Sequence, residues 1–154
     1  AINTKYRHYC SLFSDLEKNN LSVGKFDNLI IKRGFYVANP PFDEHIMMHM
    51  TLKIIDILSQ SDKNIDREDD ITFIVVIPAW DNPAYGYNES LTLMNSSRYL
   101  EGYVRVDKAS SKFFNYTTKR YINPCDVCFL LLQNKRGRDK YNISLESIIS
   151  KIFH

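Results

Sequence analysis

The chain has 154 residues, 44% of them hydrophobic and 25% charged, enough to bury a core within one domain. With 20 basic and 18 acidic side chains the formal net charge is only +2, too balanced to argue for nucleic-acid binding by itself. No apolar run approaches the roughly 18 residues of a membrane-crossing helix, and the start lacks the basic-then-apolar layout of a secretory signal.

The chain opens on Ala1 rather than Met, so it is expected to be processed or to be a piece of something longer. Tyr6, Tyr9, Cys10 and Phe13 are spaced to share a face, which predicts a short helix over 4–18, closed by Asn19-Asn20. Residues 22–28 read as loop. Gly34-Phe-Tyr-Val-Ala38 is a short apolar run stopped by Asn39-Pro40-Pro41, hence a strand ending in a rigid turn. The longest helical signal follows. Apolar residues at 46, 47, 50, 54, 57 and 58 form one stripe, and Asp43-Glu44 sit in a first turn where the helix dipole favours acids. Met47, Met48 and Met50 read as core packing rather than as a cofactor box. Beyond a polar connection over 61–70, Ile71 to Pro78 is apolar on both faces, the pattern of a strand in the middle of a covered sheet.

Residues 79–87 form a turn-rich loop bearing Trp80, the only tryptophan, and 88–99 contain a short helix. Tyr103-Val-Arg-Val106 alternates like a strand, 126–133 is a second buried strand, and a last helix starts at Ser144. Strands alternating with helices predict a single α/β domain over 1–154, its sheet largely parallel with helices on both faces. Functional loops then lie at the strands' C-terminal ends, with Asn39 and Pro78 on the same edge of the sheet.

Three cysteines make no disulfide framework, and the one C-x-x-C, Cys125 to Cys128, supplies half of a structural zinc site. Cys128 falls in phase with Leu130 and Leu132 and reads as a small core residue, in keeping with a reducing intracellular compartment. The sequons at Asn88, Asn95, Asn115 and Asn142 are attributed to a chain holding 13 Asn.

Asn39-Pro40-Pro41-Phe42 is the motif that carries chemistry. An exocyclic amine such as adenine N6 is a poor nucleophile because its lone pair is delocalised into the ring. A site can help without a strong base by accepting both N–H hydrogens, here with the Asn39 side-chain carbonyl and the Pro40 backbone carbonyl. The prolines stiffen the turn and remove competing N–H donors. Phe42 offers a stacking face worth about 1–3 kcal/mol to an extruded base. The same four residues also suit a helix-initiating turn, with Asn39 as the cap and a proline near the first helical position.

Tyr9-Cys10-Ser11, Phe13, Asp15, then Gly34 to Phe42, Phe73-Ile-Val-Val-Ile-Pro-Ala-Trp80 and Val127 to Asn134 together resemble the phosphorylated-CTD-interacting-factor family of cap-specific adenosine N6-methyltransferases. The resemblance implies the C-terminal part of a Rossmann-like methyltransferase domain using S-adenosylmethionine on the adenosine beside the mRNA cap. It gives Asn39, Pro40, Pro41 and Phe42 the catalytic and adenine-binding role and makes Trp80 a pocket residue. Asn39 and Glu44 are the candidate cofactor contacts. Its implied partners are RNA, in particular capped mRNA, and, through regions outside this chain, the RNA polymerase II C-terminal tail. The implied location is intracellular and nuclear. No Gly-x-Gly occurs and no ribose-holding acid is evident upstream of residue 35, so the chain is expected to carry the acceptor side and to bind cofactor weakly or not at all. The family's helical domain and WW module are expected to lie elsewhere.

Lys112, Lys119, Arg120, Lys135, Arg136 and Arg138 are interleaved with Phe113, Phe114, Tyr116 and Tyr121, the make-up of a phosphate-tracking, base-stacking surface in which Lys119 and Arg120 are candidate substrate contacts. A solvated basic loop is the other reading. His45 and His49 are spaced i, i+4 but lack a third metal ligand, and a polar helix face suits them better. No hydrolase triad has residues to rest on. Two functions remain: an RNA adenine N6-methyltransferase, or a non-catalytic RNA- or protein-binding module.

Overall fold

The computed structural model describes Cys10 and residues 23–64, 66, 68–80, 88–115, 118–122 and 125–153. The helix expected over 4–18 and the loop 81–87 fall outside them. The chain forms two units, 1–31 and 32–154. In the first, a 3-10 turn spans Phe26–Asn28.

The second unit begins with β1 (Gly34–Ala38), α1 (Glu44–Lys63), β2 (Ile71–Pro78), α2 (Glu89–Asn95) and β3 (Leu100–Val106). It continues with β4 (Phe113–Asn115), β5 (Arg120–Ile122), β6 (Val127–Gln133), α3 (Lys135–Lys140) and α4 (Leu145–Phe153). The main sheet has the order β1-β2-β6-β3, and β4 and β5 pair separately as a hairpin. Neither β4–β5 nor α3 was expected from the pattern of the chain.

The largely parallel, Rossmann-like sheet expected from sequence is not what forms. β1 pairs parallel with β2, while β6 pairs antiparallel with both β2 and β3. Alternating strands and helices show that crossovers exist, but not where the returning strand lands. After α2 the chain places β3 two positions from β2, and β6 fills the gap running the other way. Apolar character on both faces reports that a strand is covered, not which way it runs.

One sheet face is built from Ile74 and Val76 of β2, Val127 and Leu131 of β6 and Val106 of β3, packed with Leu145 and Ile149 of α4. Phe73, Val75, Ile77, Leu130 and Leu132 alternate with these and are equally buried. Buried too are the apolar stripes of α1 (Met47, Met50, Ile54, Leu58) and α2 (Leu91, Met94), two helices that pack together. Cys128 is buried in β6 as expected, its sulfur 3.1 Å from the Tyr103 hydroxyl. β1 is an edge strand and leaves Phe35 and Val37 exposed.

The sheet end where β2 starts is locked by polar groups. Buried Asn134, the cap of α3, accepts from the Ile71 N–H (2.9 Å) and the Gly137 N–H (2.8 Å) and donates to Ser61 Oγ (2.9 Å) and the Asp69 carbonyl (2.6 Å). A Cβ at Gly137 would lie 2.5 Å from the Ile71 carbonyl oxygen, so α3 can dock this closely only through glycine. Beside it, Asp70 binds Lys140 Nζ (2.7 Å) and the Tyr141 hydroxyl. That network leaves the opposite end of the sheet to carry the motif.

Candidate functional site

Ala38 pairs with Val75 in parallel register, so the chain leaves β1 at Asn39 on the same end of the sheet where β2 finishes at Pro78. Asn39 does not cap the helix that follows. Asp43 does, its carboxylate accepting from the Ile46 N–H at 3.0 Å from an extended backbone. The capping alternative for Asn39 is thereby corrected. Asn39 is exposed and Pro40 half-buried. The Pro41 carbonyl is taken by the Asp43 N–H at 2.8 Å, whereas among the described residues nothing hydrogen-bonds the Asn39 side chain or the Pro40 carbonyl. Those two oxygens are the acceptors that an exocyclic amine would need.

Phe42 is half-buried against the α4-side core. Its ring meets Trp80 edge-on (centroids 6.4 Å, 83°) and Phe113 likewise (5.7 Å, 80°). The structure thus brings together Phe42 and Trp80 and sets beside them Phe113, an aromatic of the base-stacking, basic surface read from the sequence. The Cys125 thiol is pushed up chiefly by burial and next by the Asp126 charge. That thiol is held in its neutral form and is not an activated nucleophile.

The hairpin that delivers Phe113 carries the basic residues. Phe113 lies opposite Ile122 and Asn115 opposite Arg120, and the Thr118 N–H donates to Asn115 Oδ1 (3.0 Å) across the turn. Lys119 occupies that turn with φ +55°, a left-handed backbone uncommon for a residue with a side chain. Lys119 and Arg120 are both exposed, and Arg120 lies roughly 7 Å along the hairpin from the Phe113 position. Lys135, Arg136 and Arg138 do not join them. β6 pairs Val127 with Pro78 but Gln133 with Thr72, so it carries the chain to the far end before α3 begins. There Arg138 pairs with Glu101 at 2.9 Å. The basic surface expected from six cations is therefore divided between the two ends of the sheet.

Glu44 is the first residue of α1 and exposed, as are His45 and His49 farther along. Among the described residues no group of three His, Cys, Asp or Glu could hold a metal ion. Of the described glycines in this unit, Gly34 starts β1, Gly137 lies in α3 at the far end, and Gly102 packs on Leu145. None of these three stands where Asn39 and Pro78 stand.

Two residues that the sequence did not single out organise this end. Asp126 holds Arg105 Nη2 (2.7 Å) and accepts from the Lys108 N–H (2.7 Å), contacts that keep its carboxyl below the usual range. Asn88, noticed only as a sequon, is buried and caps α2. Among the described residues no helix is long and apolar enough to cross a membrane.

Residues 1–116 match the family model described as the phosphorylated CTD interacting factor 1 WW domain. The WW module was expected to lie outside this chain, whereas the matching model carries that description over residues 1–116. Relatives from Mus musculus and Homo sapiens, both named mRNA (2'-O-methyladenosine-N(6)-)-methyltransferase, are each 33% identical over 98 residues. The match covers 64% of this chain and 13% of each relative, so the chain spans a small part of their length.

Proposed function

Because the chain belongs to the phosphorylated CTD interacting factor 1 WW domain family, we propose that it contributes the acceptor side of an RNA adenine N6-methyltransferase. The observation that carries this reading is a pair of acceptors without a hydrogen-bond partner among the described residues, Asn39 Oδ1 and the Pro40 carbonyl, beside the Phe42–Trp80–Phe113 cluster. The substrate is the adenosine beside the cap of mRNA, bound in the nucleus. Phe42 and Trp80 form the walls against the base, while Lys119 and Arg120 hold its phosphates. Asn39 and Pro40 accept the two N6 hydrogens, which withdraws the lone pair from the ring and aims it outward. Pro41 keeps that turn stiff.

S-adenosylmethionine supplies an electrophilic methyl group when bound. Within this chain Asn39 and Glu44 are its nearest candidate contacts, and regions outside the chain hold the rest of it. Contact with the RNA polymerase II tail belongs to those regions too. A second reading, a non-catalytic RNA- or protein-binding module, rests on the sequence, which holds no Gly-x-Gly.

The test is methyl transfer to RNA starting with a capped adenosine, by this chain and by its longer parent protein, with nucleoside mass spectrometry of the product. N6-methylated adenosine from the parent, and none from RNA starting with guanosine, is expected. RNA binding with no transfer by either protein would instead establish the module.

A further inference from the structure

Trp80 follows the last residues of β2 and has no regular structure to hold it, yet it must present its ring to Phe42. Three backbone polar groups around it lie at a covered sheet end, where an unpaired N–H or C=O is costly. The Ala79 N–H donates to the Asp126 carbonyl (2.9 Å). Both remaining groups are taken by one residue. Asn88 Nδ2 donates to the Pro78 carbonyl at 2.8 Å, and the Asn88 backbone N–H donates to the Trp80 carbonyl at 3.3 Å. Its Oδ1 accepts from the Leu91 N–H at 3.1 Å, which anchors the same residue to α2. Asn88 is only 3% exposed.

We infer that Asn88 is a positioning residue, a clamp that ties the Pro78–Trp80 segment to α2 and so sets Trp80 against Phe42. The assignment of Trp80 to the adenine pocket rests on the function proposed above; the clamp itself does not. The amide is suited to both tasks at once, because its oxygen caps the helix while its nitrogen reaches back to the strand end. A serine could still cap α2, being as good a cap as asparagine, but is too short to reach the Pro78 carbonyl. The buried position also rules out Asn88 as a glycan acceptor.

Trp80 is the only tryptophan, so its emission reports the clamp directly. Asn88→Ser should shift that emission to the red while α2 stays capped and the chain still melts cooperatively. An unchanged emission spectrum would overturn the clamp. Asn88→Asp keeps the cap and replaces the N–H donor with a carboxylate, and it should reproduce the shift if the Pro78 bond is what matters. Titration with a capped-adenosine trinucleotide should quench wild-type Trp80, with affinity falling roughly tenfold in Asn88→Ser. Equal affinity in both proteins would overturn the link between clamp and site. If the trinucleotide leaves wild-type emission unchanged, the adenine-pocket reading fails, and the clamp is judged on the emission shift alone.

Discussion

Replacing Asn134 should cost more stability than any change at the motif end of the sheet. The amide makes four hydrogen bonds, two accepted from the Ile71 and Gly137 N–H groups and two donated to Ser61 Oγ and the Asp69 carbonyl. In Asn134→Ala each lost bond removes about 1 kcal/mol net, and the buried Ile71 N–H is left without its side-chain partner. The sum is on the order of 4–5 kcal/mol, a large share of the ~5–15 kcal/mol that holds a domain together. A loss of that size lowers the melting temperature by roughly 10 °C or more. Asn134→Ser should recover only the bond to Gly137, because a hydroxyl can cap α3 but cannot reach Ser61 and Asp69 as well. Urea unfolding of the three proteins, with the denaturant slope unchanged, measures the loss. A cost under about 1 kcal/mol for Asn134→Ala would refute the latch.

Two further outcomes are expected. Hydrogen bonds from Lys140 and Tyr141 hold the Asp70 carboxyl down to about 2 from 3.8, so its contribution to stability is present above that ordinary value and is lost as pH falls towards 2. Urea midpoints of wild type and Asp70→Asn should therefore differ at neutral pH and converge between about pH 4 and pH 2; a constant gap would contradict the assignment. Replacing Lys119 and Arg120 together by Ala should weaken RNA binding and lower the salt slope of log Kd by about 2, whereas Lys135→Ala with Arg136→Ala should leave it unchanged. Equal effects from the two pairs would place the RNA elsewhere.

Much of the architecture was legible in local pattern. β2 and β6 are apolar but for Thr72 and Gln133, and the α1 stripe put Met47, Met50, Ile54 and Leu58 in the core. Strand direction was not legible, because the pairing partners lie far apart in the chain: Val75 sits between Ala38 on one side and Leu130 on the other. The hairpin β4–β5 is three residues per strand with no glycine in the described part of its turn, so neither turn chemistry nor alternation announced it. Asn39 to Phe42 could be read as a motif, yet only the position of Asp43 decided that Asn39 is not a cap. Asn88 gave only a sequon signal, pointing away from the part it plays in space, whereas Phe113 was already legible as a stacking aromatic but not as a neighbour of Phe42.

The central claim is that Asn39 serves the reacting amine rather than the fold, and single-turnover methyl transfer by the parent protein tests it most directly. Asn39→Ala should lower the rate on capped-adenosine RNA about 10²–10³-fold, the loss of one hydrogen bond made at the transition state. Its melting temperature should match wild type, while Asp43→Ala, which removes the true cap, should cost about 1 kcal/mol, roughly 2–4 °C. Normal turnover by Asn39→Ala, with or without a lowered melting temperature, would contradict the account.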